Sequence, residues 1–323
     1  MDTRMAWQPT AAIATLRERA RIIQSIRDFF ASRNVLAVET PLLSHTSVTD
    51  PYIQSMAASV QDAWGKSTQY YLQTSPEYAM KRLLACGSGD IYQITKAFRQ
   101  DEVGAHHNPE FTMLEWYRLG FDHHALMDEM DELLQLILKT PPAIRLSYAA
   151  LFEKYCGINP HEASVEALKE CAHHVRINFH QDSTDRDLWL NLLMSHHIEP
   201  QLNQAAPTFV YDFPASQAAL ARIAPGNPPT AARFEVYFKG IELANGFHEL
   251  QDPAQQRARF EANLATRKAQ ALPLLPIDEY FLAALQAGLP DCAGVALGLD
   301  RVIMLAMQQE RISHVLSFDW TNA

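Results

Sequence analysis

No stretch of this chain approaches the roughly 20 consecutive apolar residues that span a bilayer, and the opening MDTRMAWQPTAAIATLRERAR has no apolar signal-peptide core. These two lacks predict a protein with no membrane anchor, working in the cytoplasm. The four cysteines, Cys86, Cys156, Cys171 and Cys292, are scattered with no CxxC spacing, which fits neither a disulfide framework nor a zinc knuckle and predicts reduced thiols. No run of lysine and arginine forms a basic stripe, and the formal net charge is -10. Broad attraction to nucleic acid or an anionic membrane is therefore disfavoured, although a local basic pocket is compatible with that balance.

Common nucleotide and metal signatures are missing too. Gly65-Lys66-Ser67 looks like the end of a phosphate-binding loop, but the first glycine that loop needs is replaced by Val60, so an exposed turn is expected. No GxGxxG follows a strand, and His248-Glu249 does not go on to HExxH. Hydride transfer and zinc proteolysis lose their usual support. Adjacent histidines occur at 106-107, 123-124, 173-174 and 196-197. Neighbours on a helix or strand diverge, so these are expected at the surface rather than on a metal.

What is present is enough for a sizeable core: 323 residues, 48% of them hydrophobic, allow one large domain or two ordinary ones. Leu16, Ala20, Ile23 and Phe30 recur at helical spacing, and after a turn at Arg33-Asn34 the segment NVLAVETPLL reads as a strand stopped by Pro41. YYLQTSP, IYQITKAFR and FTMLEWYR read as antiparallel strands. Leu126, Met130, Leu133, Leu134, Ile137 and Leu138 begin a helical insertion over about 122–205. Strands resume at FEVYF and IELANGF, a helix follows near 253–270, and GVALGLDRVIMLAM closes the core. The expected class is α+β, an antiparallel sheet flanked by helices.

One constellation carries chemistry. In FTMLEWY the period of two puts Phe111, Met113, Glu115 and Tyr117 on one face and Thr112, Leu114 and Trp116 on the other. Antiparallel pairing with IYQITKAFR brings Arg99 near Phe111, a guanidinium fork beside a flat ring that suits a nucleotide phosphate and base. A tight turn at Lys239-Gly240 pairs Phe238 with Ile241 and Tyr237 with Glu242, leaving Glu235 on the face of Glu242. Two converging carboxylates ask for a cation, and Mg²⁺ on ATP phosphates is the natural candidate. Glu249 falls on the opposite face unless a bulge at Gly246 re-aims it. Small residues in GVALGLDR let a ligand approach the backbone, with Arg301 at the start of a helix.

Together, the helix and strand ending in NVLAVETP, the segment FRQDEVGAHHNPEFTMLEWY and GVALGLDR resemble the three motifs of a class II aminoacyl-tRNA synthetase catalytic domain. HNPEFT, TSPEYAMKRLL and IELANGFHEL are similar to the lysyl-tRNA synthetase branch, over nearly the whole chain. The first motif lies at the start of the sequence, so residues 1–323 are expected to be a single catalytic domain without the anticodon-binding domain. In this the chain resembles the short lysyl-tRNA synthetase paralogues that charge a protein. That resemblance implies (R)-β-lysine as the amino acid, a lysine of elongation factor P as acceptor, no tRNA partner and a homodimer.

The resemblance also implies roles. Arg99 holds the α-phosphate, Phe111 and Arg301 sandwich adenine, Asn108 contacts ATP, and Gln100, Asp101, Leu243 and Gly298 complete the ATP site. Glu235 and Glu242 hold Mg²⁺. Ser75, Pro76, Glu77, Glu115, Tyr117, Glu249 and Ala296 form the amino-acid pocket, with Glu77 near the reacting end and Glu249 with Tyr117 at the far ammonium. Ser75 and Ala296 match the paralogue pattern where lysyl enzymes usually carry alanine and glycine. The family writes FRxE where this chain has Asp101, a methylene shorter; either the loop moves in or Glu102 compensates. Two other readings stay open: a ligase activating α-lysine or another amino acid for a different acceptor, and a silent regulatory paralogue.

Overall fold

Helix α1 (Ile13–Ala31) forms where the spacing predicts one, but its buried residues are Ile26, Phe29 and Phe30 while Ala20 is exposed; Asn34, at a left-handed φ of 56°, then turns the chain into the first strand. The computed structural model describes residues 7–179, 183–202 and 204–323. They divide into two compact units, one of residues up to Gly120 with Gln251–Asp291 and Ala296–Ala323, the other of Phe121–Leu250 with Cys292–Val295.

In the first unit α1 leads to β1 (Leu36–Ala37), β2 (Leu43–Ser44), β3 (Ala57–Gln61), β4 (Ser67–Leu72), α2 (Glu77–Ala85), β5 (Ile91–Phe98) and β6 (Glu110–Leu119). β5 and β6 are antiparallel, with Ala97 opposite Phe111 and Gln93 opposite Glu115, and β1 lies parallel on the far side of β5. A small antiparallel sheet runs β2-β4-β3. Phe30 stacks on Tyr92 at 4.5 Å and meets Trp116 edge-on at 5.4 Å, so the even face of β6 packs on α1 while its odd face is left for the site.

The second unit carries α3 (His123–Leu138), β7 (Ile144–Ser147), α4 (Tyr148–Cys156), α5 (Val165–His174), α6 (Arg186–Leu193), β8 (Thr208–Pro214), β9 (Ile223–Ala224), β10 (Thr230–Phe238) and β11 (Ile241–His248). Asp122, Ser147, Ser164 and Asp185 cap the four helices through side-chain oxygens, each accepting from backbone N–H groups of the first turn. The stretch expected to be a helical insertion also holds β7, which pairs parallel with β8; residues 180–182 and 203 of it lie outside the described residues. Tyr148, Phe152, Trp189, Leu190 and Phe213 pack a core of their own.

Lys239 and Gly240, at φ 52° and 72°, make the two-residue turn, and Phe238 pairs with Ile241 and Tyr237 with Glu242 as the spacing implies. The bulge that Gly246 would have allowed is not there. The register shifts between Val236 and Tyr237 instead. Gly246 has a different reason to be glycine, since a Cβ there would run into the Phe234 ring.

The chain returns to the first unit with α7 (Pro253–Ala269) and α8 (Glu279–Gly288), then β12 (Cys292–Gly298), whose last residues, 296–298, lead into α9 (Leu299–Ala306). Asp300 accepts from Thr112 N at 2.6 Å and pairs with Arg19 at 2.6 Å, so α9 is tied to β6 and α1 and Arg301 is carried to a fixed place. All four cysteines are free thiols.

Candidate active site

Within the first unit, Arg99 leaves β5 with its guanidinium carbon 5.2 Å over the Phe111 ring, the plate-and-fork arrangement the pairing implied. Its Nη1 donates to Glu102 at 2.8 Å. Arg301 donates to the His106 carbonyl at 3.2 Å and to His107 Nε2, with Glu102 Oε2 3.9 Å away. Glu102 therefore stands between both arginines, while Asp101 and Gln100 are exposed. Burial, and the Arg301 cation after it, hold His107 below the usual imidazole range, so it accepts from Arg301 as a neutral ring.

Phe111 and Met113 pack with Ala97 and Ala296, which puts the small residue of β12 against the ring plate; Gly298 precedes α9 as its N-cap. Asn108 is buried and spends its amide on the chain itself, donating to the Glu110 carbonyl at 2.6 Å and accepting from Trp320 N at 3.0 Å. It fixes the loop that presents Phe111.

Further along the same face of β6 a second polar cluster assembles. Ser75 Oγ donates to Glu115 Oε2 at 2.7 Å, and Tyr117 Oη donates to Glu115 Oε1 at 2.7 Å. Pro76 precedes α2, whose first residue Glu77 donates its N–H to Ser75 Oγ at 3.1 Å and receives Lys81 Nζ on Oε1 at 2.6 Å. Glu115 is 1% exposed. Burial, and then the Glu77 charge, push its carboxyl up to about 8 against the opposing pull of Tyr117, Ser75 and Lys81. At neutral pH it therefore holds a proton.

The second unit carries Glu235, Glu242 and Glu249. Glu235 is buried, with Oε1 receiving Arg233 and Oε2 receiving Tyr237 Oη. Glu235 thus has a cation of the protein's own, and Arg233 also donates to the Gln217 carbonyl at 2.7 Å and to Asn245 Oδ1 at 3.0 Å. Glu242 is exposed, and Leu243 is buried. Glu199 joins this group, its carboxyl raised to about 7 by burial and by the charges of Glu242 and Glu235. Crowded carboxylate oxygens suit a hard divalent cation, so the donor set fits Mg²⁺. Glu249 lies beyond the end of β11 and is 1% exposed, its N–H bonded to the Cys292 carbonyl at 3.0 Å.

Sequence reading missed Lys81, Glu199, Arg233 and the position of Glu102. Lys81 had a signal, the i,i+4 spacing from Glu77 in TSPEYAMKRLL. Glu199 had none, because its partners are on β10 and β11, far along the chain.

The family model for tRNA synthetases class II (D, K and N) matches residues 4–322. The chain is 54% identical over 323 residues to the elongation factor P–(R)-β-lysine ligase of Vibrio cholerae, an alignment covering 99% of this chain and 100% of that protein. It is 51% identical to the protein of that name from Pseudoalteromonas translucida and 50% identical to that from Haemophilus influenzae, each over 319 residues and 98% of both chains.

Proposed function

Because the chain belongs to the class II tRNA synthetases of the D, K and N group, we propose that it uses ATP to join (R)-β-lysine to a lysine side chain of elongation factor P. One observation carries the narrower reading: identity of 54% over effectively the full length of a protein named for that reaction. The arrangement on β5 and β6 supports it, with an arginine over a ring plate at one end and a buried, proton-holding carboxyl at the other.

In the first step a carboxylate oxygen of the amino acid attacks the α-phosphorus of ATP, the bond to the bridging oxygen breaks, and pyrophosphate leaves. In the second, the neutral amine of the acceptor lysine attacks the acyl carbon, AMP departs and the amine proton passes to solvent. No protein nucleophile is needed. Catalysis rests on alignment and on charge placed where it develops. Arg99 binds the α-phosphate, exchanging its Glu102 partner for phosphate oxygens, and Phe111 with Arg301 encloses adenine. Gln100, Asp101, Leu243 and Gly298 line the nucleotide, and Asn108 acts by holding the Phe111 loop. Glu235 and Glu242 would hold Mg²⁺, which would neutralise charge on the polyphosphate.

The substrate brings two ammonium groups, and each needs a carboxylate when desolvated. Glu77 receives the one near the reacting end; Glu249 and Tyr117 receive the far one. Glu115, oriented by Ser75 and Tyr117, ionises as the cation arrives, so the charge pair forms on binding. Pro76 and Ala296 shape the pocket for the displaced amino group. The same reading makes the enzyme a cytoplasmic homodimer, with no tRNA as partner.

The test is the mass of elongation factor P after incubation with this protein, ATP and (R)-β-lysine. A gain of one β-lysyl residue is expected. Pyrophosphate exchange with α-lysine, (R)-β-lysine and aspartate in parallel identifies the amino acid, and exchange with none of them would overturn the reading.

A further inference from the structure

His123 and His124 take no part in the reaction proposed above, yet the structure gathers a donor set around them. They open α3, directly after the Asp122 N-cap. Their rings lie 4.1 Å apart at a 36° tilt, contrary to the expectation that adjacent histidines diverge. Asp212 of β8 places Oδ1 3.3 Å from His123 Nε2. One donor atom from each of His123, His124 and Asp212 falls within 4.8 Å of the other two.

Strand alternation alone would send Tyr211 and Asp212 to opposite faces. Both reach the histidine pair, Tyr211 meeting the His124 ring edge-on at 5.2 Å. Asp212 achieves this with a left-handed φ of 59°, beside the irregular register between Ala231 and Phe234 where β10 pairs with β8. Such a backbone is held only where the surrounding structure imposes it.

The imidazole of His123 supplies the second observation. It is 7% exposed, and its Nδ1 has no hydrogen-bond partner. If Nε2 carries the proton and donates to Asp212, the Nδ1 lone pair is buried with nothing to bind. If Nδ1 carries it, that N–H has no acceptor and the Nε2 lone pair faces a carboxylate. A cation held by Nε2 and Asp212 would turn the lone-pair repulsion of the second arrangement into shared coordination, with the proton kept on Nδ1.

We propose that His123, His124 and Asp212 bind a divalent transition metal of the zinc class, with water completing the coordination. Two imidazoles and a carboxylate select Zn²⁺, Co²⁺ or Ni²⁺ over Mg²⁺. Ligand bonds of about 2.0–2.1 Å in a tetrahedral site give donor separations near 3.3 Å, the separation already present between His123 and Asp212. The positive end of the α3 dipole opposes a cation there, and the Asp122 carboxylate offsets it. The nearby Arg145 is turned to Asp128 at 2.7 Å. The metal would pin the start of α3 to β8.

The full chain, stripped with chelator, is titrated with Zn²⁺ under excess Mg²⁺ by calorimetry and then desalted for elemental analysis. About one Zn²⁺ per chain is expected, with Co²⁺ giving the visible bands of a four-coordinate site. His124→Ala, at an exposed position, and Asp212→Asn should each abolish retention, with circular dichroism confirming the fold. The double variant His173→Ala/His174→Ala, at the exposed pair on α5, should retain it. Retention unchanged in the first two variants overturns the proposal. So does the absence of bound Zn²⁺ in the native chain, which leaves a hydrogen-bonded histidine and aspartate only.

Discussion

Ser75 donates a 2.7 Å hydrogen bond to Glu115, joining the turn before α2 to a carboxyl buried on β6. A hydrogen bond to a group that ionises on binding contributes about 1.5–3 kcal/mol. Ser75→Ala should raise KM for (R)-β-lysine by about tenfold to a hundredfold on that basis. It should leave KM for ATP unchanged and move preference toward α-lysine. Pyrophosphate exchange with both amino acids reads this; a loss of ATP affinity with amino-acid affinity intact would contradict it.

Arg99→Ala removes the fork above Phe111 and should cut adenylate formation by about 10²–10³-fold or more, the scale of losing one aimed donor. Its circular dichroism should match the parent, because Arg99 is a half-buried loop residue paired with Glu102. Normal pyrophosphate release by the variant would sink the assignment.

Glu115 predicts a pH dependence of stability. Its carboxyl rises from an ordinary 4.5 to about 8 in the fold, so between those values the folded chain holds a proton that the unfolded chain has released. Stability therefore falls as pH rises through this window, by up to about 1.4 kcal/mol per pH unit, and levels off above it. Urea unfolding from pH 5 to pH 9 should show a shallower slope in Glu115→Gln. An identical slope in parent and variant would refute the linkage.

Lys81 is 1% exposed and bonded to Glu77 at 2.6 Å. Lys81→Met should destabilise by about 3–5 kcal/mol, because it leaves a carboxylate without its buried counter-charge. The double variant Lys81→Met/Glu77→Gln should recover part of that loss in a denaturation cycle. Full additivity would mean the two do not act as a pair.

Gly246→Ala drives a methyl into the Phe234 ring and should cost about 1–3 kcal/mol, the usual penalty of overpacking. β11 carries Glu242 as well, so the dependence of activity on Mg²⁺ should shift along with Tm. A stable variant with native Mg²⁺ dependence would show that the strand yields locally.

Much of the candidate site was legible because strands obey a local rule. Alternation placed Phe111, Met113, Glu115 and Tyr117 on one face, and the two-residue turn set Tyr237 opposite Glu242. The same rule failed where the backbone departs from it. The bulge appears at Val236 and Tyr237 rather than at Gly246, and Asp212 leaves the β region entirely. Asn108 reads as a nucleotide contact by resemblance and is found bonded to Glu110 and Trp320.

The sequence by itself determined which segments are helix and strand around the site, the faces of β6, the register at Lys239-Gly240 and the family, since periodicity, turn chemistry and motifs are properties of neighbouring residues. Only the tertiary structure decided that Arg233 neutralises Glu235, that Glu102 stands between Arg99 and Arg301, that Glu199 joins the acidic group and that Asp212 meets His123. Those are contacts between side chains whose meeting depends on loop paths and strand order, and their energies depend on burial, which no local pattern encodes.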